Sequence, residues 1–331
     1  MSHPQAVPSG SMRSEEFRGD GLAIEVSDLR KAYGQLEAVR GVSFTIAHGE
    51  VFCLLGPNGA GKTTTVEILE GYRVRSGGDV RVLGMDPADA PRELRERVGI
   101  VLQQCGVQSY LSVAELVEMY GRYYSHSRPV SEVIEVVGLQ RKRDTRANDL
   151  SGGQRRRLDL ALALVGDPDL IFLDEPTTGF DPAARRNAWS TIRSLCDLGK
   201  TIFLTTHYMD EAQFLANRVA IMREGQIVAS GSPEELGGRD LRPAEVHFAL
   251  PPGVALGDLP SVPAVDVSLT EGRVFIQTKE PVVAAQRITT WALQRGFELE
   301  HFAVNQPTLE DIYLELTGSQ ADVGAPEEVP A

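Results

Sequence analysis

Eight consecutive residues hold the most specific chemistry in the chain: Gly56-Pro57-Asn58-Gly59-Ala60-Gly61-Lys62-Thr63. Their spacing is G-x-x-x-x-G-K-[ST], the P-loop pattern. Glycines let backbone N–H groups turn inward and form a concave cradle for phosphate oxygens. Lys62 then reaches the outer phosphates of a nucleoside triphosphate, and the Thr63 hydroxyl ligates Mg²⁺. The pattern has meaning only between a strand and a helix. The apolar residues 51–55 supply the strand and residues 64–69 the start of the helix, whose positive end adds to the cradle. An ordinary glycine-rich helix cap is the plain alternative, and the fixed positions in this setting argue against it.

Two further constellations follow. Leu170-Ile171-Phe172-Leu173-Asp174-Glu175 is an apolar strand ending in two carboxylates. Asp174 suits a second Mg²⁺ contact, direct or through water. Glu175, one residue further, suits a general base that polarises the attacking water. Strand exits also carry acids as turn or cap residues, but beside a P-loop the chemical reading prevails. Leu150-Ser151-Gly152-Gly153-Gln154 opens a long helix at 152–165. Ser151 is a good N-cap, and two glycines leave the first turn bare at a cost in helix stability. A bare helix N-terminus receives anions; a simple capped helix remains open at this point.

In this order the motifs resemble the nucleotide-binding domain of ABC transporters, over about residues 21–236. The resemblance implies further roles. Tyr33 stacks on adenine. Gln103 is the Q-loop glutamine, contacting Mg²⁺ and signalling to a membrane subunit. Asp181 is the D-loop aspartate, and His207 the switch histidine at the γ-phosphate. It implies a catalytic set of Glu175, His207 and Lys62. Nucleotide contacts are Tyr33, residues 56–63, Thr64 and Gln103. Ser151, Gly152, Gly153, Gln154 and Asp181 contact the ATP held by a partner cassette. The metal set is Thr63, Gln103 and Asp174, and the cofactors are ATP and Mg²⁺. Two departures are small: Phe180 stands where leucine is usual, and Gln103-Gln104 is a doublet.

The implied fold is α/β: a P-loop NTPase ABC cassette, with a RecA-like core, a β-subdomain and a helical subdomain at about 103–165. Two such cassettes, expected to be copies of this chain, pair head to tail over two ATP. They power a separate integral membrane permease from the cytoplasmic face of the cell membrane. His207-Tyr208-Met209-Asp210-Glu211-Ala212 and Pro307-Thr308-Leu309-Glu310-Asp311-Ile312-Tyr313 resemble the ABC-2 group, ATPase subunits of exporters for drugs, antibiotics, polysaccharides or lipids. Tyr110, Leu111 and Val113, close to Gln103, are expected permease contacts or core residues.

The elements that must position these groups are legible as alternating strands and helices. Strands are expected at 22–26, 42–46, 51–55, 79–82, 99–102, 170–173, 201–204, 219–222 and 227–230. Helices are expected at 91–98, 112–125, 130–137, 152–165 and 183–198, which gives a partly parallel sheet covered by helices. Composition changes near Gly237-Gly238. A small α/β unit follows at 241–318, with strands at 245–249, 265–269, 274–278 and 298–304 and helices at 281–295 and 308–316. Residues 1–20 read as a flexible leader without a signal peptide, and 319–331 as a disordered acidic tail.

The chain has 331 residues, 42% hydrophobic, with a formal charge of −13 and pI near 5.0. That balance disfavours nucleic acid, which needs a basic face. Arg155-Arg156-Arg157 reads as a solvated helix face. Cys53, Cys105 and Cys196 have no metal spacing and fit a reducing compartment. No apolar stretch reaches the ~18–20 residues of a membrane span, so any span belongs to another chain. Two rivals remain. A soluble ABC ATPase of translation or repair would carry two cassettes or a long coiled coil. A non-hydrolysing regulatory module would have lost a catalytic residue.

Overall fold

The computed structural model describes residues 21–89, 91–101 and 108–317. The leader, the tail, Gln103, Gln104 and Cys105 therefore lie outside the described residues. In chain order the elements are β1 Leu22–Tyr33, β2 Leu36–Ala47, β3 Val51–Leu55, α1 Lys62–Leu69, β4 Gly77–Val82, α2 Arg92–Arg97, β5 Val98–Val101, α3 Val113–Gly121, α4 Val130–Val136, α5 Gly152–Leu164 and β6 Leu170–Asp174. Then come α6 Pro182–Asp197, β7 Thr201–Thr206, α7 Met209–Leu215, β8 Arg218–Arg223, β9 Gln226–Gly231, β10 Ala244–Ala249, β11 Asp266–Thr270, β12 Arg273–Thr278, α8 Pro281–Arg295, β13 Ala303–Asn305 and α9 Leu309–Thr317.

The central sheet has the order β5-β6-β7-β3-β8-β9, parallel except for β9. Its middle strands are covered on both faces, so they read as continuous apolar runs. Alternation divides each strand between two cores. Phe52, Phe172 and Phe203 face one way, into a layer shared with the antiparallel sheet β2-β1-β4. Cys53, Leu173 and Leu204 face the other way, onto α3–α7. Phe203 lies 5.6 Å from both other rings, a stack across three adjacent strands.

Both expected strands at the N-terminus prove too short, since β1 and β2 run twelve residues each. Register shifts between Val26 and Leu29 and between Lys31 and Ala32 break the two-residue alternation that sequence reading relies on. The expected helix at 112–125 ends at Gly121, and the helix at 91–98 yields Val98 to β5. The expected strand at 298–304 shrinks to Ala303–Asn305, because His301 adopts a left-handed φ of 56°.

A third sheet, β11-β12-β10-β13, is antiparallel. It buries Val246, Phe248, Val274 and Ile276 against Ala284 and Ile288 of α8. The last helix goes elsewhere. Thr308 caps α9 reciprocally with Asp311, and Leu309 joins the core beneath α7. The Pro307–Tyr313 sequence thus has a packing role that its residue types did not disclose.

Candidate active site

The P-loop, Asp174, Glu175 and His207 sit where parallel strands of the central sheet end, the usual site position in open α/β sheets. β3 delivers residues 56–61 into α1. Gly61 is the N-cap of α1 with φ 103°, no side chain caps the helix, and its first turn holds no acid. The first N–H groups of α1 are thus free of side-chain partners, a donor set suited to an anion. Two of the glycines are also sterically required. A Cβ on Gly56 would meet Met222 O at 2.3 Å, and one on Gly61 would meet Ala38 O at 2.4 Å.

The Lys62 ammonium is almost fully buried and donates to Gly56 O at 2.7 Å and Pro57 O at 3.2 Å. Burial lowers its pKa, against the nearby carboxylates of Glu175 and Asp174. Thr63 and Asn58 are exposed around the cradle. From β6 comes Asp174, whose Oδ1 accepts the Thr205 hydroxyl at 2.5 Å. Glu175 follows with φ 46°, a conformation that non-glycine residues rarely adopt and that clusters at functional sites. It is held there by N–H donation to the Thr205 carbonyl and hydroxyl, both at 3.1 Å.

The Glu175 carboxylate gathers three partners. Oε1 lies 3.4 Å from His207 Nδ1 and 3.8 Å from Lys62 Nζ, and Oε2 accepts the Thr178 hydroxyl at 3.1 Å. The His207 contact leads in holding its pKa below the usual glutamate value, and burial opposes it. Glu175 is therefore an ionised acceptor at neutral pH. β7 supplies His207, whose ring packs against Tyr208 at 4.0 Å. Three residues from three strand ends thus converge on the mouth of the anion cradle.

Comparison with known proteins identifies the family. The family model for ABC transporters matches residues 39–178, and the model for the C-terminal domain of ABC transporter domain-containing proteins matches 244–308. The Nod factor export ATP-binding protein I of Paraburkholderia xenovorans is 39% identical, over 90% of this chain and 98% of its own length. Its counterpart in Rhizobium meliloti strain 1021 is 38% identical, over 90% and 89%. The chain belongs to the ATP-binding proteins of the ABC transporter family. Among solved structures, CbiO1 from Clostridium perfringens, part of the ABC transporter complex CbiONQ, superposes with a TM-score of 0.59. It is 29% identical and covers 65% of this chain and 90% of its own. A dimeric ATP-binding cassette solved after hydrolysis with ADP and phosphate is 25% identical, with a TM-score of 0.56, over 63% of this chain and 98% of its own.

As an ABC ATPase, the chain has a second surface at the start of α5. Ser151 and Gln154 form a reciprocal capping box. A Cβ on Gly152 would meet nothing within 4 Å, and one on Gly153 only Ala184 Cβ at 3.9 Å. Among the described residues no contact requires glycine at either position. Both line a groove of about 460 Å³ together with Phe180 and Asp181. Asp181 caps α6 by accepting from Ala183 N and Ala184 N, each at 2.9 Å. Tyr33 sits at the β1–β2 tip, 39% exposed, with Lys31 Nζ 5.0 Å and Arg73 Cζ 5.3 Å from its ring centre.

The arginine run is not a solvated face. Arg156 is buried, donating from Nε to Pro176 O at 3.1 Å and from Nη2 to Asp174 O at 3.3 Å. Its neighbours Arg155 and Arg157 also donate to backbone carbonyls, of Ala147 and Gly138. The guanidinium of Arg156 thus ties α5 to the segment bearing Asp174 and Glu175. Val113 is buried core, whereas Tyr110 is 65% exposed. A groove of about 480 Å³ opens where the end of α1, α2 and β5 face α3 and α5. It is lined by Leu69, Glu70, Tyr72, Tyr120, Tyr124 and Leu162. Thr178, Thr205 and Arg156 complete the site and escaped the sequence reading. Only the polar Thr205-Thr206 pair ending an apolar strand hinted at any of them.

Proposed function

We propose that this chain is the ATP-hydrolysing subunit of an ABC exporter, in which two copies close over two ATP to drive a separate membrane permease. One observation supports the reading most: Lys62, Glu175 and His207 meet within 3.8 Å above the uncapped start of α1. The cradle binds the triphosphate, with Lys62 on the outer phosphates and Tyr33 against the base. Glu175, ionised and strained into place, takes the proton of the attacking water, and His207 orients the outer phosphate.

Mg²⁺ fits the donors present, the Thr63 hydroxyl and the Asp174 carboxylate. Among the described residues no group of three His, Cys, Asp or Glu forms a protein cage, as expected for an ion that also takes substrate phosphates as ligands. When bound, it would neutralise phosphate charge during transfer. Gln103, as a further contact, belongs to the same proposal.

In the dimer, the bare turn at Ser151, Gly152, Gly153 and Gln154, with Asp181, covers the ATP of the opposite copy. This gives the two glycines a purpose that the single chain lacks. A contact to the outermost phosphate favours closure, and its loss on hydrolysis favours opening. Among the described residues no helix is long and apolar enough to cross a membrane. In this proposal the span belongs to an ABC-2 type permease, with this subunit on the cytoplasmic face of the cell membrane. The groove beside Glu70 and the exposed Tyr110 are the proposed permease contacts. The cassette spans about 21–240 and the accessory unit about 241–318, with α9 returning to the cassette.

Relatives named for Nod factor export support the export direction. The permease selects the cargo, which falls within drugs, antibiotics, lipids or glycans. The test is phosphate release by the full chain with Mg-ATP, alone and co-expressed with the membrane protein encoded beside it. Turnover that rises in the complex supports the reading. Absence of both turnover and co-purification overturns it.

A further inference from the structure

The pairing of Glu175 with His207 poses a structural problem that the sheet solves only in part. Strand register aligns Asp174 with Thr205, but both reacting side chains lie beyond that pair, on chain already leaving the sheet. The Glu175 N–H bonds to Thr205 tie the exits at their start, and a second link further out holds the segments that follow. Glu211, in the first turn of α7, occupies that place. It is fully buried. Its Oε1 accepts the Thr177 hydroxyl at 2.8 Å and the Trp189 indole N–H at 2.9 Å.

The three partners belong to three functional elements. Thr177, itself fully buried, lies two residues after Glu175. Trp189 lies on α6, the helix capped by Asp181. Glu211 lies four residues after His207. The Thr206 hydroxyl also acts on this carboxylate, although among the described residues Oε2 has no partner in hydrogen-bonding geometry. That hydroxyl accepts the Tyr208 N–H at 3.0 Å, fixing the turn that presents His207.

We propose that Glu211 is a positioning residue for hydrolysis, a buried cross-link that sets the spacing of His207 and Glu175 and ties it to the helix bearing Asp181. Here the acceptor oxygen does the work, because both donors would otherwise be buried without partners. The proposal predicts a loss of turnover without a loss of nucleotide binding, since the Glu211 carboxylate accepts from Thr177 and Trp189 and not from residues 56–63. It rests on the assignment of Glu175 and His207 as the hydrolytic pair.

The test uses full-length Glu211→Leu, Glu211→Gln and Thr177→Val, with Glu175→Gln and His207→Ala as references. Phosphate release is followed across ATP concentrations and pH. Glu211→Leu is expected to lower kcat at least about tenfold with KM for ATP unchanged, and to move the pH profile. Glu211→Gln keeps an acceptor oxygen and is expected to stay within about threefold of wild type, with the original profile. Thr177→Val removes one hydroxyl and is expected to lower kcat several-fold at constant KM. It also stands as the decisive variant if Glu211→Leu does not fold. Wild-type kcat in Thr177→Val or Glu211→Leu, or equal losses of kcat and ATP affinity in the Leu and Gln variants, would overturn the proposal. Full activity in both reference variants would instead overturn the underlying assignment.

Discussion

Glu70 offers a sharp test of the electrostatics around the site. It follows α1, lines the groove facing α3 and α5, and its Oε1 is buried with no hydrogen-bond partner among the described residues. Burial raises its pKa from an ordinary 4.5 to about 8, with smaller contributions from the carboxylates of Asp174 and Glu67. The perturbation is Glu70→Gln, which mimics the protonated acid. The folded chain holds this proton more tightly than the unfolded chain, so wild-type stability falls as pH rises from about 4.5 to about 8 and is level above that. Glutamine has no such dependence. Between those two values, at ~1.4 kcal/mol per pH unit, the ceiling on the difference is about 5 kcal/mol. Relaxation and water entry reduce this, and about 2 kcal/mol is the expected gain above pH 8. For a domain of this size that raises Tm by about 4–8 °C. Thermal unfolding of both chains at pH 5, 7 and 9 measures it. The gain should be absent at pH 5 and greatest at pH 9. An equal difference at pH 5 and 9, or a more stable wild type at pH 9, would refute the reasoning.

The remaining expectations concern the site itself. Glu175→Gln should lower kcat by about 10²–10⁴, as for loss of a general base, while ATP binding persists and an ATP-held dimer accumulates in size-exclusion chromatography. Lys62→Ala should weaken ATP binding itself in a direct titration, because its ammonium is the buried cation of the cradle. Gly152→Ala should fold with an unchanged or slightly higher Tm, since its Cβ meets nothing within 4 Å. ATP-dependent dimerisation of the same variant should fail, and normal dimerisation would remove the proposed role of this turn. Ser151→Ala loses a reciprocal cap at about 1 kcal/mol, and Tm should fall by about 2–4 °C.

Local chemistry made much of this chain legible. A phosphate cradle needs glycines, a lysine and a hydroxyl within eight consecutive residues, so residues 56–63 announce themselves without a fold. Asp174 and Glu175 do so because an apolar strand must carry them to a sheet edge. The alternation of strands and helices was readable for the same reason, as hydrophobic period follows backbone geometry. Where local pattern failed, the cause was physical. Bulges hid the length of β1 and β2. A left-handed His301 cut β13 short. Arg156 looked solvated because its acceptors are carbonyls about twenty residues away in sequence.

The sequence by itself determined which groups are the candidates for the chemistry, because residue type and near-neighbour spacing define a nucleotide cradle. Only the tertiary structure decided how those groups meet. Lys62, Glu175 and His207 come from three strands, and their spacing of 3.4–3.8 Å follows from sheet order and from side chains such as Thr205. Whether Arg156 and Glu211 lie in water or in the core was settled there too. The energy of a polar group depends on partners that chain order does not reveal.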